Sequence, residues 1–119
     1  MAAFQTSSDG NIHILSLYGR LDPNAGKDFK DTMISLTDGE NPGDLLVDLE
    51  NLIYMASAGF RELFLAGRKV TRSGGRLVVC GLRGEVKRVF ELARFDTAYP
   101  IFETRQLALD FLKAPKAEG

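Results

Sequence analysis

Ser57 sits in the run Met55-Ala56-Ser57-Ala58-Gly59-Phe60, where an apolar strand gives way to a segment with helical spacing. Such a junction places one hydroxyl at a helix start, where unpaired N–H groups and the positive end of the macrodipole favour either a capping oxygen or a phosphate. As an N-cap, Ser57 would accept a hydrogen bond from the first turn, a role worth about 1 kcal/mol. The reciprocal capping-box partner is missing, because Phe60 rather than Glu or Gln stands three residues on. As a phosphoacceptor, the same residue would change the local charge by roughly −2. Taken alone, the spacing favours the cap.

Other chemistry lacks its parts. A serine nucleophile needs a base and a group to orient it. The single histidine, His13, falls within a predicted strand far from Ser57 in sequence, so no catalytic residue is assigned. One His and one Cys do not close a metal site without several well-placed carboxylates, and no metal or cofactor is expected. Gly81-Leu82-Arg83-Gly84 is too short for a phosphate loop and lacks its lysine, so it reads as a turn. Asp48 follows an apolar run, as the reactive carboxylate of receiver domains does. Tyr18-Gly19-Arg20 and Glu103-Thr104 stand where a receiver needs an acidic pair and a lysine, so Asp48 is read as a strand-end or turn residue.

The elements that must position Ser57 follow from periodicity. Asp9-Gly10 between β-formers predicts a hairpin over residues 4 to 18, with Ile12 to Tyr18 as its second strand. Asp22-Pro23 reads as a cap followed by proline at the first helical position. Ala25, Phe29, Met33 and Leu36 extend that helix until Gly39, Pro42 and Gly43 stop it. Leu45 to Leu49 reads as a strand covered on both faces. The helix after Ser57 carries Phe60, Leu63, Phe64, Gly67 and Val70 on one stripe and ends at Ser73-Gly74-Gly75. Arg76 to Cys80 gives a strand, Val86, Val89, Phe90 and Ala93 a third helix, and Tyr99 to Phe102 a short strand. Leu107, Phe111 and Leu112 mark a last helix capped at Thr104. This order predicts an α/β fold with a mixed, mostly parallel four- to five-stranded sheet and about four helices. Sites then gather at the strands' carboxyl ends, in loops 19–22, 51–59 and 81–85.

The 119 residues are 45% apolar, which suits a single domain over 1–113 with a flexible tail over 114–119. Fifteen basic against sixteen acidic residues give no global reason to expect nucleic acid. The lone Cys80 excludes an intramolecular disulfide, and neither a signal peptide nor an apolar run of spanning length is legible, so no membrane insertion and a cytoplasmic location are expected. Opposite the apolar stripe of the second helix, Arg61, Leu65, Arg68 and Arg72 share one face with Lys69 beside it. Leu65 among arginines marks that face as a candidate partner-binding surface, and an exposed leucine serves a homodimer as well as a foreign partner.

The segment Asp48-Leu49-Glu50-Asn51-Leu52-Ile53-Tyr54-Met55-Ala56-Ser57-Ala58-Gly59-Phe60-Arg61 resembles the signature of STAS domains, in particular of bacterial anti-sigma factor antagonists. Gly19-Arg20-Leu21-Asp22, Gly74-Gly75 and Gln106-Leu107-Ala108-Leu109 fall where that family also has recurring residues. The resemblance implies a STAS-like fold and a non-enzymatic regulator that binds a serine-kinase anti-sigma factor. It further implies phosphorylation of Ser57 by that kinase and resetting by a serine phosphatase. Joined with the outer face of the second helix, the loops it points to give Asp22, Ala56, Ser57, Ala58, Gly59, Arg61, Leu65 and Arg68 as the expected partner-binding residues. One departure is Ala56, where the family commonly has Asp or Ser. The alternative is a non-phosphorylated STAS subunit of a larger assembly, a stressosome scaffold or the accessory protein of a lipid-transport ATPase.

Overall fold

The computed structural model describes residues 2–38 and 43–115. Gly39 and Pro42, read as a helix stop, lie outside the described residues, as do the last four positions of the expected tail. Along the chain run β1 (Ala2–Asp9), β2 (Ile12–Leu21), a 3-10 turn (Pro23–Ala25), α1 (Gly26–Thr37), β3 (Asp44–Met55) and α2 (Ser57–Arg72). Then come β4 (Leu77–Cys80), α3 (Gly84–Leu92), a second 3-10 turn (Phe95–Thr97), β5 (Ile101–Phe102) and α4 (Arg105–Lys113). The five strands form one sheet in the order β1-β2-β3-β4-β5, antiparallel between β1 and β2 and parallel thereafter. This is the mixed α/β architecture that the alternation of strand and helix patterns predicts.

The two faces of the sheet are covered differently. On one, Phe29 and Met33 of α1, Leu63, Ala66 and Val70 of α2, and Val86 and Phe90 of α3 bury Leu15, Leu17, Val47, Leu49 and Val79. Apolar burial at roughly 25 cal/mol per Å² makes this the main source of cohesion. On the other, α4 covers Ile14, Leu46 and Val78 with only Ala108 and Leu112 fully buried. Polar links supplement that small apolar contact. Arg76 pairs with Asp44 at 3.1 Å and donates to the Leu112 carbonyl at 2.9 Å, while Lys113 meets Asp9.

Several boundaries differ from the sequence reading. β3 does not stop near Leu49 but continues to Met55, and two register shifts against β2 accommodate the extra residues. Asp48 is therefore inside a strand rather than at its end. Its Oδ1 accepts the Glu50 N–H at 3.0 Å, and its Oδ2 accepts Arg105 Nε at 2.9 Å. Arg105 also donates to Ser16 Oγ at 2.7 Å, so the carboxylate of β3 anchors the start of α4. β2 likewise passes Gly19 and ends at Leu21. The first helix is split: Asp22 caps the 3-10 turn, accepting from Ala25 N at 3.1 Å, and α1 begins at Gly26. Tyr99 lies outside β5 with its ring in the core, and Val89, Ala93, Leu107 and Phe111 are exposed where the helical stripes placed them inward. Thr104 caps α4 as expected, accepting from Leu107 N at 3.2 Å.

Close approach fixes α2 against the second 3-10 turn. A Cβ on Gly67 would stand 2.4 Å from Cζ of Tyr99, whose hydroxyl donates to the Phe64 carbonyl at 2.9 Å. Phe60, Phe64, Phe90, Phe95 and Tyr99 pack around that contact with centroid spacings from 4.8 to 6.0 Å. The ring cannot shift without disturbing its neighbours. Gly67→Ala is expected to destabilise the domain by about 1–3 kcal/mol, read as a lower urea midpoint at unchanged slope.

Cys80 faces Asp48 across the β3–β4 register and is fully buried. Burial first, and the Asp48 charge second, push its thiol from 9.0 up to about 12. The unfolded chain releases this proton near pH 9 while the folded one keeps it to about 12. Its contribution to stability is thus fully present below pH 9 and is lost as pH rises through that window. At pH 8 a thiol reagent should leave the native protein unmodified and label it completely in denaturant, as intact mass will report.

Candidate functional site

Two strand ends and a helix start converge on Ser57. In the parallel register Leu21 closes β2 opposite Met55 at the end of β3. The Ala56 N–H then donates to the Leu21 carbonyl at 2.8 Å, tying the β3–α2 junction to the end of β2. Gly59 completes the arrangement, since a Cβ there would lie 2.7 Å from Leu21 Cδ2 and 3.3 Å from Met55 Cγ. The first turn of α2 can settle on the strand ends only because that side chain is missing. Asp22 follows Leu21 directly, so the two loops bearing Asp22 and Ser57 are neighbours.

Ser57 is the first helical residue, not the cap. The N-cap is Ala56, with extended backbone at φ −69° and ψ 156°, and no side chain caps this helix start. The Ala56 carbonyl accepts from Gly59 N at 2.9 Å and Phe60 N at 3.1 Å. The hydroxyl expected to serve the first turn instead stands outside it, on an exposed residue next to exposed Ala58. The extended φ/ψ of the N-cap falls one position earlier than the sequence suggested. That single step moves Ser57 from a structural to an accessible position.

From Ser57 a stripe runs the length of α2. Residues 57, 61, 65, 68 and 72 repeat at helical spacing and lie on one side, opposite buried Leu63, Ala66, Gly67 and Val70. Arg61, Arg68 and Arg72 are exposed, Leu65 is 42% exposed, and Lys69 at the margin pairs with Asp38 at 2.6 Å. A Schellman motif closes the helix, with Gly75 N on the Val70 carbonyl and Gly74 N on that of Thr71, both at 3.0 Å. Burial raises the pKa of the Tyr99 phenol beneath this face, and the Arg68 charge offsets part of the rise.

The structure thus brings Asp22, Ala56, Ser57, Ala58 and Gly59 to one end of the sheet and continues them into Arg61, Leu65 and Arg68. Asp22 spends its Oδ1 on Ala25 N, the capping role open to it from sequence. The sequence reading missed Arg20, whose guanidinium carbon lies 4.6 Å from the Tyr54 ring centre, and Ile53, which is 66% exposed. Ile53 and Tyr54 belong to the extension of β3 beyond Leu49, and Arg20 to the end of β2 that pairs with it; the broken alternation after Glu50 is the sequence signal of that extension. A cleft of about 600 Å³ lies elsewhere, between α3 and β5, and is lined by charges of both signs with Leu82, Phe90 and Phe102. Among the described residues no group of three or more His, Cys, Asp or Glu is placed to hold a metal, and no helix is long and apolar enough to cross a membrane.

Comparison with known proteins agrees with this fold. The STAS domain family model matches residues 3–108. A Bordetella bronchiseptica protein, BtrV, named among the anti-sigma factor antagonists, is 34% identical over 64 residues, which span 54% of this chain and 55% of that protein. The chain thus aligns with about half the length of that relative. The structure of an anti-sigma factor antagonist from Mycobacterium paratuberculosis superposes with a TM-score of 0.86 at 19% identity, covering 96% of both chains. The Bacillus cell fate determinant SpoIIAA in its phosphorylated form superposes with a TM-score of 0.76 at 19% identity, covering 93% of this chain and 100% of that one. At those identities the two structures speak for the fold. With the family model matching nearly its whole length, the chain belongs to the STAS domain family.

Proposed function

We propose that this protein is an anti-sigma factor antagonist that docks on a serine-kinase anti-sigma factor and is released by phosphorylation of Ser57. The observation that carries the reading is the position of Ser57: an exposed first helical residue at the carboxyl ends of β2 and β3, heading a stripe of arginines and one exposed leucine. Further support comes from the family and from the names of its relatives, one of which has been solved phosphorylated. The docking surface would comprise Asp22, Ser57, Ala58, Arg61, Leu65 and Arg68, with buried Ala56 and Gly59 shaping the turn beneath them.

In the phosphoryl transfer the bond from Ser57 Oγ to phosphorus forms as the bond to departing ADP breaks. The hydroxyl proton leaves to a base that the kinase supplies. A dianion then occupies an interface arranged for a neutral hydroxyl, at a cost of several kcal/mol in desolvation and repulsion. A serine phosphatase restores the binding form. Ala56 favours the second reading, a non-phosphorylated subunit of a larger STAS assembly, because it offers the kinase no polar contact beside Ser57.

Ser57→Ala should bind the anti-sigma factor kinase persistently and Ser57→Asp poorly, as measured by calorimetry; equal binding by both contradicts the switch. Intact mass after incubation with that kinase and ATP should rise by one phosphate in the wild type only, whereas an unchanged mass favours the assembly subunit. Leu65→Asp combined with Arg68→Asp should weaken binding at least about tenfold without changing the melting temperature. Unchanged affinity removes α2 from the interface.

A further inference from the structure

Arg61 stands four residues beyond Ser57 on α2 and is exposed. The ion pairs among the described residues engage Lys27, Lys69, Arg76, Arg83, Arg105 and Lys113, and none involves Arg61. Its helix-surface neighbours at three and four residues are Ser57, Ala58, Phe64 and Leu65, all uncharged. Glu62, the adjacent carboxylate, points about 100° away round the helix. Asp22, the carboxylate of the adjoining loop, is turned onto Ala25 N. Helical side chains lean back towards the N-terminus, so a guanidinium at position 61 overhangs the turn that carries the Ser57 hydroxyl.

We propose that Arg61 is the internal counter-ion of a phosphate on Ser57. The inference rests on the phosphorylation reading above and adds the residue that receives the phosphate. An anion with a cation four residues towards the C-terminus is the favoured order on a helix, and the guanidinium fork matches phosphate oxygens two at a time. Ala56 contributes no carboxylate to compete for the guanidinium. Capture withdraws Arg61 from the stripe offered to the partner, so phosphorylation both adds a dianion and removes a cation from the same surface. The chain meanwhile gains an intrahelical bridge at a helix start that has neither a side-chain cap nor an acidic residue in its first turn.

The test is a thermodynamic cycle on the full chain with phosphoserine genetically encoded at position 57, with and without Arg61→Gln. Phosphoserine should raise the melting temperature by about 4 °C with Arg61 in place, and by less than half as much in the variant. Arg61→Lys should restore part of the rise, and molar salt should shrink it. An arginine Nε–H resonance shifted by phosphorylation and missing from Arg61→Gln would identify the contact directly. Equal rises with and without Arg61, or an unshifted arginine spectrum, overturn the assignment. Because the phosphoserine is encoded, a kinase that leaves Ser57 unmodified refutes the functional reading without altering this result.

Discussion

One main-chain hydrogen bond and one missing side chain decide where the second helix can lie. The Ala56 N–H reaches the Leu21 carbonyl at 2.8 Å, and the bare Cα of Gly59 rests on Leu21 and Met55. Together they bring α2 down onto the ends of two adjacent parallel strands. The bond satisfies a backbone donor that would otherwise be left unpaired at a buried residue where the strand leaves its partner. With Gly59 seated, Leu63, Ala66 and Val70 meet the sheet, and the opposite stripe has nowhere to face but outward. Exposure of Ser57 and the arginines is thus a consequence of core packing.

The division of labour between the sheet faces serves the same end. On one face α2 packs beside α1 and α3 on the sheet, and its Phe60 and Phe64 are locked against Phe90, Phe95 and Tyr99, so that its outer stripe is presented by a rigid body. On the other face α4 buries little apolar surface and is held by Arg105 and Lys113 reaching carboxylates of the strands and by Arg76 donating to its Leu112 carbonyl. The Asp48–Arg105 pair resembles none of the machinery of a receiver domain. It is a partly exposed anchor whose worth lies in satisfying a buried carboxylate, since leaving such a group unpaired costs more than the pair gains.

Much of this was legible in the sequence because it depends on short-range pattern. Asp9-Gly10 specified the hairpin, Thr104 the cap of α4, and Ser73-Gly74-Gly75 the end of α2. Phe29, Met33, Leu63 and Val70 were inward-facing from their spacing alone. What escaped depends on partners distant in the chain. The extension of β3 to Met55 requires two shifts of register against β2, which no local period encodes. Tyr99 reads as strand but is drawn into the core by the gap at Gly67, and Leu107 and Phe111 lie exposed because α4 turns small Ala108 to the sheet. At the candidate site, the strand-to-helix junction at Ser57 was legible but the one-position shift from cap to first helical residue was not. It rests on the φ/ψ of Ala56, a residue whose side chain gives no local signal.

Those features join in a chain of cause: a glycine permits the close approach, the approach fixes the helix, and the helix exposes one hydroxyl beside uncommitted guanidinium groups. Partner release would then need no rearrangement of the fold, since the added charge acts where the two surfaces meet. The most direct measurement is a calorimetric titration of the serine-kinase anti-sigma factor into the serine and phosphoserine-57 forms of the full chain. Affinity for the phosphorylated form lower by about a hundredfold or more is expected. Equal affinity for the two forms would contradict a switch at Ser57.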